Sequence, residues 1–364
     1  MKPDSPLSKL PSLSELLKHP TVQRVVERVN QTTIAQRATG FWEDLQTSWK
    51  EQGGPPSVGE LAERLAQRLL GRSSQSAPTV NATGVICSQR WQAPLAESAV
   101  HEVLRFASDY QPPATTLLKQ VAASLVNLTG AQAAWVASSY EGAVSLANRC
   151  EGATIVSCPM IGLLDPAEFG REHVETIADR LGAGADLVVV DGSGLLGGPR
   201  CGIIIGSHQC LEQVQQGELA PALTAGAMVL AALEATLEIY RSRNKVMHQI
   251  PVLQLLSTPL GNLRQRCERI APLLAECEAV ASAEAAECES VWLDDESSRR
   301  SSASWAIVLH PTQGPADGAV GRLAQQFCQA TPEVIGRKHD DAFWLDFRAI
   351  FPRWDQRLVT ALER

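Results

Sequence analysis

No apolar run in these 364 residues approaches the roughly 18 positions that a membrane-spanning helix requires, so no membrane span is expected. Positive charge is in the minority as well. Thirty-two Lys and Arg stand against 40 Asp and Glu, a net charge of −8, which argues against a general grip on nucleic acid but leaves room for a local basic patch. The nine cysteines are an odd number, and none stands in a Cys-x-x-Cys pair. That excludes a recognisable zinc site or disulfide framework and predicts reduced, mostly buried thiols in a cytoplasmic protein. The seven histidines are scattered without His-x-x-x-His spacing, so metal catalysis is not expected. Residues 1–18 lack the continuous apolar core of a signal peptide.

What remains is an ordinary globular composition, 45% hydrophobic and 20% charged, long enough for two or three domains. Residues 1–72 read as a helical N-terminal domain. Ser12 with Glu15 makes a capping box. Val22, Val25, Val26 and Val29, then Ile34, Ala38, Phe41, Trp42, Leu45 and Trp49, recur at helical spacing. Gly53-Gly54-Pro55-Pro56 breaks the stripe, and Ser57 with Glu60 caps a further helix. Arg24, Arg28 and Arg37 are candidates to face RNA phosphates, although interspersed Glu27, Glu43 and Asp44 equally suit a solvated helix face. A polar linker at 73–76 separates this part from a second domain at 77–245 and a third at 246–364.

The stretch that organises the rest is 191–206, DGSGLLGGPRCGIIIG. An apolar run, Ala185-Asp186-Leu187-Val188-Val189-Val190, predicts a buried strand before it. Glycine turns and Pro199 follow, then a returning strand at Ile203-Ile204-Ile205. Leu195-Leu196-Gly197-Gly198-Pro199, Val80-Asn81-Ala82-Thr83-Gly84-Val85, Leu128-Thr129-Gly130-Ala131-Gln132-Ala133, the alanine-rich helix 230–240, Pro332-Glu333-Val334-Ile335-Gly336-Arg337 and Leu345-Asp346-Phe347-Arg348 occur in one order. Together they resemble the bacterial selenocysteine synthase (L-seryl-tRNA(Sec) selenium transferase) family, nearly end to end apart from one large internal deletion near 150.

The resemblance implies an α/β fold of the fold-type I PLP-transferase (aminotransferase-like) kind. It would have a truncated large domain, a helical N-terminal domain that contacts tRNA in the family, and a small α+β C-terminal domain. It also implies pyridoxal phosphate (PLP), held by a lysine as a Schiff base, an aspartate on the pyridinium nitrogen, and arginines for anionic groups. In this chain Gly194 occupies the lysine position, with Ser193 before it where the family has aspartate, and Cys158 takes the pyridinium-aspartate position. The family's arginine cluster falls on Ala114-Thr115-Thr116-Leu117. Lys119 and Lys245 are the only lysines between the linker and the C-terminal domain.

These substitutions predict no catalytic residues and no cofactor. Cys158, Ser193, Gly194, Gly197 and Gly198 remain as candidates for a vestigial pocket. Gly197 and Gly198 are also explained by the turn alone, and Cys158 as a small buried apolar side chain. Ser138-Ser139 reads as a turn or cap. The expected role is a non-catalytic, oligomerising or tRNA- or partner-binding subunit, pairing with itself or with an intact paralogue. The alternative is an active PLP-dependent transferase, with relocated groups, that makes selenocysteinyl-tRNA(Sec) from seryl-tRNA(Sec) and selenophosphate.

Overall fold

A computed structural model describes residues 11–26, 31–48, 57–69, 79–111, 113–295, 298–312, 316–330 and 332–362. Arg28, Val29, Trp49, the 53–56 break and the 73–76 linker lie outside the described residues, as does the side chain of Glu60. The chain divides into two compact units, residues 1–79 with 331–333 and residues 80–330 with 334–364. The stretches 77–245 and 246–364, expected as separate domains, therefore share the second unit apart from residues 77–79 and 331–333.

The first unit contains helices α1 (Leu13–Lys18), α2 (Pro20–Val26), α3 (Gln31–Ser48) and α4 (Val58–Leu69). The Ser12–Glu15 capping box is present: the Glu15 amide donates to the Ser12 hydroxyl, and the Ser12 amide donates to Glu15 Oε2 at 2.8 Å. The apolar stripe closes a core of Leu16, Val22, Ala38, Phe41 and Leu45 against Leu61, Leu65 and Leu69.

In the second unit, β1 (Val80–Asn81) and β2 (Cys87–Ser88) precede α5 (Glu97–Ala107) and α6 (Ala114–Thr129). Then come β3 (Ala133–Ala137), α7 (Tyr140–Ala147), β4 (Ile155–Ser157), α8 (Ile177–Gly182), β5 (Leu187–Asp191) and β6 (Gly202–Gly206). Helices α9 (His208–Gln216), α10 (Ala220–Leu223), α11 (Ala227–Tyr240), α12 (Arg243–Gln249), α13 (Pro251–Ser257) and α14 (Leu260–Ala275) lead to a long hairpin, β7 (Val280–Asp295) and β8 (Ser298–Pro311). Helix α15 (Ala316–Gln329), strands β9 (Val334–Ile335), β10 (Arg337–His339) and β11 (Ala342–Asp346), and α16 (Asp355–Thr360) complete it. No helix among the described residues is long and apolar enough to cross a membrane.

A four-stranded sheet runs β3-β6-β5-β4, with β6 antiparallel to both neighbours and β5 parallel to β4. Alternation along β5 feeds both faces. Leu187 and Val189 pack with Leu146 of α7 and Leu211 of α9, whereas Val188 and Val190 pack with Val121 of α6 and Leu233 of α11. The sheet is thus a middle layer between helices, which is why its strands read as continuous apolar runs.

The second sheet runs β10-β11-β8-β7-β2 and is covered by α14 and α15 through Leu263, Ile270, Leu323 and Phe327. Its interior holds a charge. Asp346, fully buried, accepts from Ser290 Oγ at 2.6 Å, Ser304 Oγ at 2.7 Å, Arg337 at 3.1 Å and the Arg348 amide at 3.1 Å. Gly84 (φ +77°) lies against that carboxylate, and a Cβ there would sit 2.2 Å from Asp346 Oδ2. Two of the motifs that carry the resemblance, at 80–85 and 345–348, therefore meet in one buried network.

Candidate functional site

The carboxyl ends of β4 and β5 are where an open α/β sheet presents a ligand site. Strand β5 ends at Asp191, and β6 begins at Gly202. The connecting loop is tied by its own backbone. The Gly192 amide donates to the Cys201 carbonyl at 2.9 Å, and that of Gly198 to the Gly192 carbonyl at 2.8 Å. Asp191 turns its carboxylate onto the loop, accepting from the Ser193 amide and hydroxyl, both at 2.7 Å. The Tyr240 hydroxyl of α11 donates to the Leu196 carbonyl at 2.8 Å. Leu195, Leu196 and Cys201 are buried, so the loop fills its own interior.

The segment after β4 lies across this loop. The Asp191 amide donates to the Pro159 carbonyl at 3.1 Å. A Cβ on Gly194 would come 2.9 Å from the Pro159 carbonyl oxygen and 3.1 Å from Met160 Cα. Both are backbone, so a side chain at 194 requires the 159–160 segment to move. Gly197 (φ +70°) faces the other way, where a Cβ would sit 2.4 Å from Ile250 Cγ2, and Gly198 packs near Leu233. The structure brings Cys158's segment together with Ser193 and Gly194, while Gly197 and Gly198 serve the packing of α11 and α13.

Cys158 follows β4, its amide donating to the Val189 carbonyl at 2.9 Å. Its thiol is half-buried, and burial pushes its pKa up, with Arg180 opposing and Asp295 and Glu175 reinforcing. Tyr140 lies beside it at the start of α7, whose cap is Ser139, accepting from the Gly142 amide at 3.0 Å. Burial first, then the proximity of Cys158 and Asp295, pushes the Tyr140 phenol up to about 12. Arg180 is held by Glu175 at 2.6 Å. Tyr140, Arg180 and Asp295 were not singled out from the sequence. Only Tyr140 carried a signal, its place directly after the Ser138-Ser139 turn.

The two lysines lie elsewhere. Lys119 is exposed on α6, and Lys245 is exposed on α12, at a cleft of about 700 Å³ that α5, α6 and α11 also line. Of the N-terminal arginines, Arg24 is exposed in the last turn of α2, and Arg37 donates to the Leu69 carbonyl at 2.7 Å, satisfying the end of α4. Among the described residues no three His, Cys, Asp or Glu side chains converge as metal ligands.

A family model described as L-seryl-tRNA selenium transferase matches residues 106–351, more than half of the chain. L-seryl-tRNA(Sec) selenium transferases of Yersinia pestis (strain Pestoides F) and Yersinia pseudotuberculosis (serotype O:3, strain YPIII) are each 32% identical over 240 residues. The alignment covers 65% of this chain and 50% of each relative, so the chain spans about half the length of the curated relatives it matches. Among solved structures, a D-glucosaminate-6-phosphate ammonia-lyase superposes with a TM-score of 0.51 at 15% identity, covering 81% of this chain and 96% of that one. That likeness supports the α/β PLP-transferase fold.

These matches correct the expectation of no cofactor: the family matched and the fold shared are those of PLP proteins. The residues at the strand ends do not fit its covalent form. Position 194 offers no amine, and a side chain there would displace the 159–160 backbone; Cys158, expected at the pyridinium-aspartate position, carries a thiol whose pKa burial raises. With its match running from α5 to the loop beyond β11, the chain belongs to the L-seryl-tRNA selenium transferase family.

Proposed function

We propose that this chain is a non-catalytic member of its family, a cytoplasmic subunit that associates with itself or with a lysine-bearing relative and through it with tRNA. One observation carries this reading: position 194, where the Schiff-base lysine is expected, is a glycine whose Cβ would come 2.9 Å from the Pro159 carbonyl oxygen. Nucleophilic catalysis depends on a group held in near-attack position, and a glycine supplies none. The packing motifs survive beside it, with α11 buried along Leu230, Leu233 and Leu237. Val100 and Leu104 of α5 are 42% and 58% exposed, and Tyr110 follows, fully exposed. This apolar strip supports an association role.

The test is selenium transfer from selenophosphate to seryl-tRNA(Sec), run with this chain, with a lysine-bearing relative, and with both. This chain alone is expected to give no product. Native mass spectrometry is expected to show homo-oligomers or a mixed assembly. Turnover by the chain alone, or a monomer indifferent to the relative and to seryl-tRNA, overturns the reading.

A further inference from the structure

Cys150 and Cys210 are 60 residues apart in sequence and adjacent in space. Cys150 closes the turn after α7 and is 4% exposed; Cys210 stands in the first turn of α9 and is half-buried. The Cys150 thiol donates to the Cys210 carbonyl at 3.1 Å, which places it against the residue that carries the second sulfur. Leu146, Ala147, Leu211 and Val214 pack around the pair and hold the two helices together. Both thiols are free.

We propose that Cys150 and Cys210 are a redox modification site, forming a reversible disulfide that clamps α7 to α9 on one face of the four-stranded sheet. The oxidant is a hydroperoxide. Cys210, the more accessible sulfur, attacks the peroxide oxygen; the O–O bond breaks, and a sulfenic acid and water form, or an alcohol if the peroxide is organic. Cys150 sulfur then displaces hydroxide from the Cys210 sulfur, and the Cys150 proton leaves with it as a second water. Two thiols lose two electrons in total, and one peroxide is reduced. A dithiol reductant reverses the bond by exchange. Burial pushes the Cys150 thiol up to about 11, which leaves Cys210 as the sulfur that meets the peroxide first. Cys158 differs. Its surroundings are Arg180, Asp295 and Glu175.

The experiment uses the full chain, treated with hydrogen peroxide near stoichiometry, quenched, alkylated under denaturing conditions without reductant, and mapped by mass spectrometry. The expected result is a cross-linked peptide pair containing Cys150 and Cys210, removed by dithiothreitol, with a Tm several degrees above that of the reduced chain. Cys150→Ser should lose the cross-link and leave a Cys210 sulfenic acid that dimedone traps; Cys210→Ser should lose both products. The wild-type map decides the matter even if a variant folds poorly. Recovery of Cys150 and Cys210 as alkylated thiols while other cysteines are oxidised overturns the proposal, as does a cross-link joining either one to a different cysteine.

Discussion

The Asp346 network and the 191–201 loop are both buried, both built on glycines, and both made from motifs that carry the family resemblance. They have fared differently. Around Asp346 every element of a charged cluster is in place: two hydroxyls, one guanidinium, one amide, and a glycine that leaves the carboxylate its space. In the loop the turn is intact, yet its carboxylate is engaged by Ser193, and Gly194, the expected lysine position, lies tight against the 159–160 backbone. A retained motif reports retained packing.

The comparison breaks first if the two carboxylates matter equally. Asp346→Ala leaves the buried Ser290 and Ser304 hydroxyls without their acceptor and takes the ion-pair partner from the partly exposed Arg337, and is expected to cost about 3–5 kcal/mol. Asp191→Ala removes two bonds within one local turn and should cost about 1–2 kcal/mol. Urea denaturation followed by circular dichroism compares the two, and equal losses would refute the contrast. Next in size, Gly197→Ala forces a Cβ into Ile250 at positive φ and should cost roughly 2–4 kcal/mol by the same measurement. Ser193→Asp with Gly194→Lys should cost roughly 1–3 kcal/mol and yield no selenocysteinyl-tRNA, since the 159–160 backbone must move before the amine finds space. Robust product from that double variant would show an intact site.

Tyr240→Phe should cost about 1–2 kcal/mol, because the Leu196 carbonyl loses its donor inside the protein. The smallest effect concerns a surface pair that belongs to neither region. His173 contacts Asp165 at 2.7 Å, and that hydrogen bond followed by the charge raises the imidazole above its ordinary 6.5. A raised histidine contributes stability that is complete below its unfolded value and disappears as pH rises through the folded one. Proton NMR should therefore place the His173 midpoint above 6.5, and Asp165→Asn should lower it. A midpoint unmoved by that substitution would remove the pair from the account.

Local features were legible in the sequence. The Ser12–Glu15 box, the strand before Asp191, the return at Ile203-Ile204-Ile205, the turn at Ser139 and the helix at 230–240 each follow from periodicity or cap chemistry within a few residues. Helix α14 ends at Ala275, with Pro272 inside its last turn. The candidate site was legible only on its loop side. Asp295 reaches Tyr140 and Cys158 because it stands at the end of β7, and the exposed alternation of that strand gave no hint of where its tip would land. The Asp346 cluster escaped for the same reason. Its members come from β7, β8, β10 and β11, and only the fold assembles them.

The pairings of the two shortest early strands set the order in which this chain can be completed during synthesis. Val80 meets Val334, and Cys87 meets Leu293. Each partner emerges from the ribosome long after the strand it must join, so β1 and β2 wait with unpaired edges while most of the second unit is translated. Contacts of such sequence separation form slowly, because loop closure is spent before any pairing is gained. The nascent chain therefore exposes strand edges for an extended interval, when chaperone binding or a premature stop would count most.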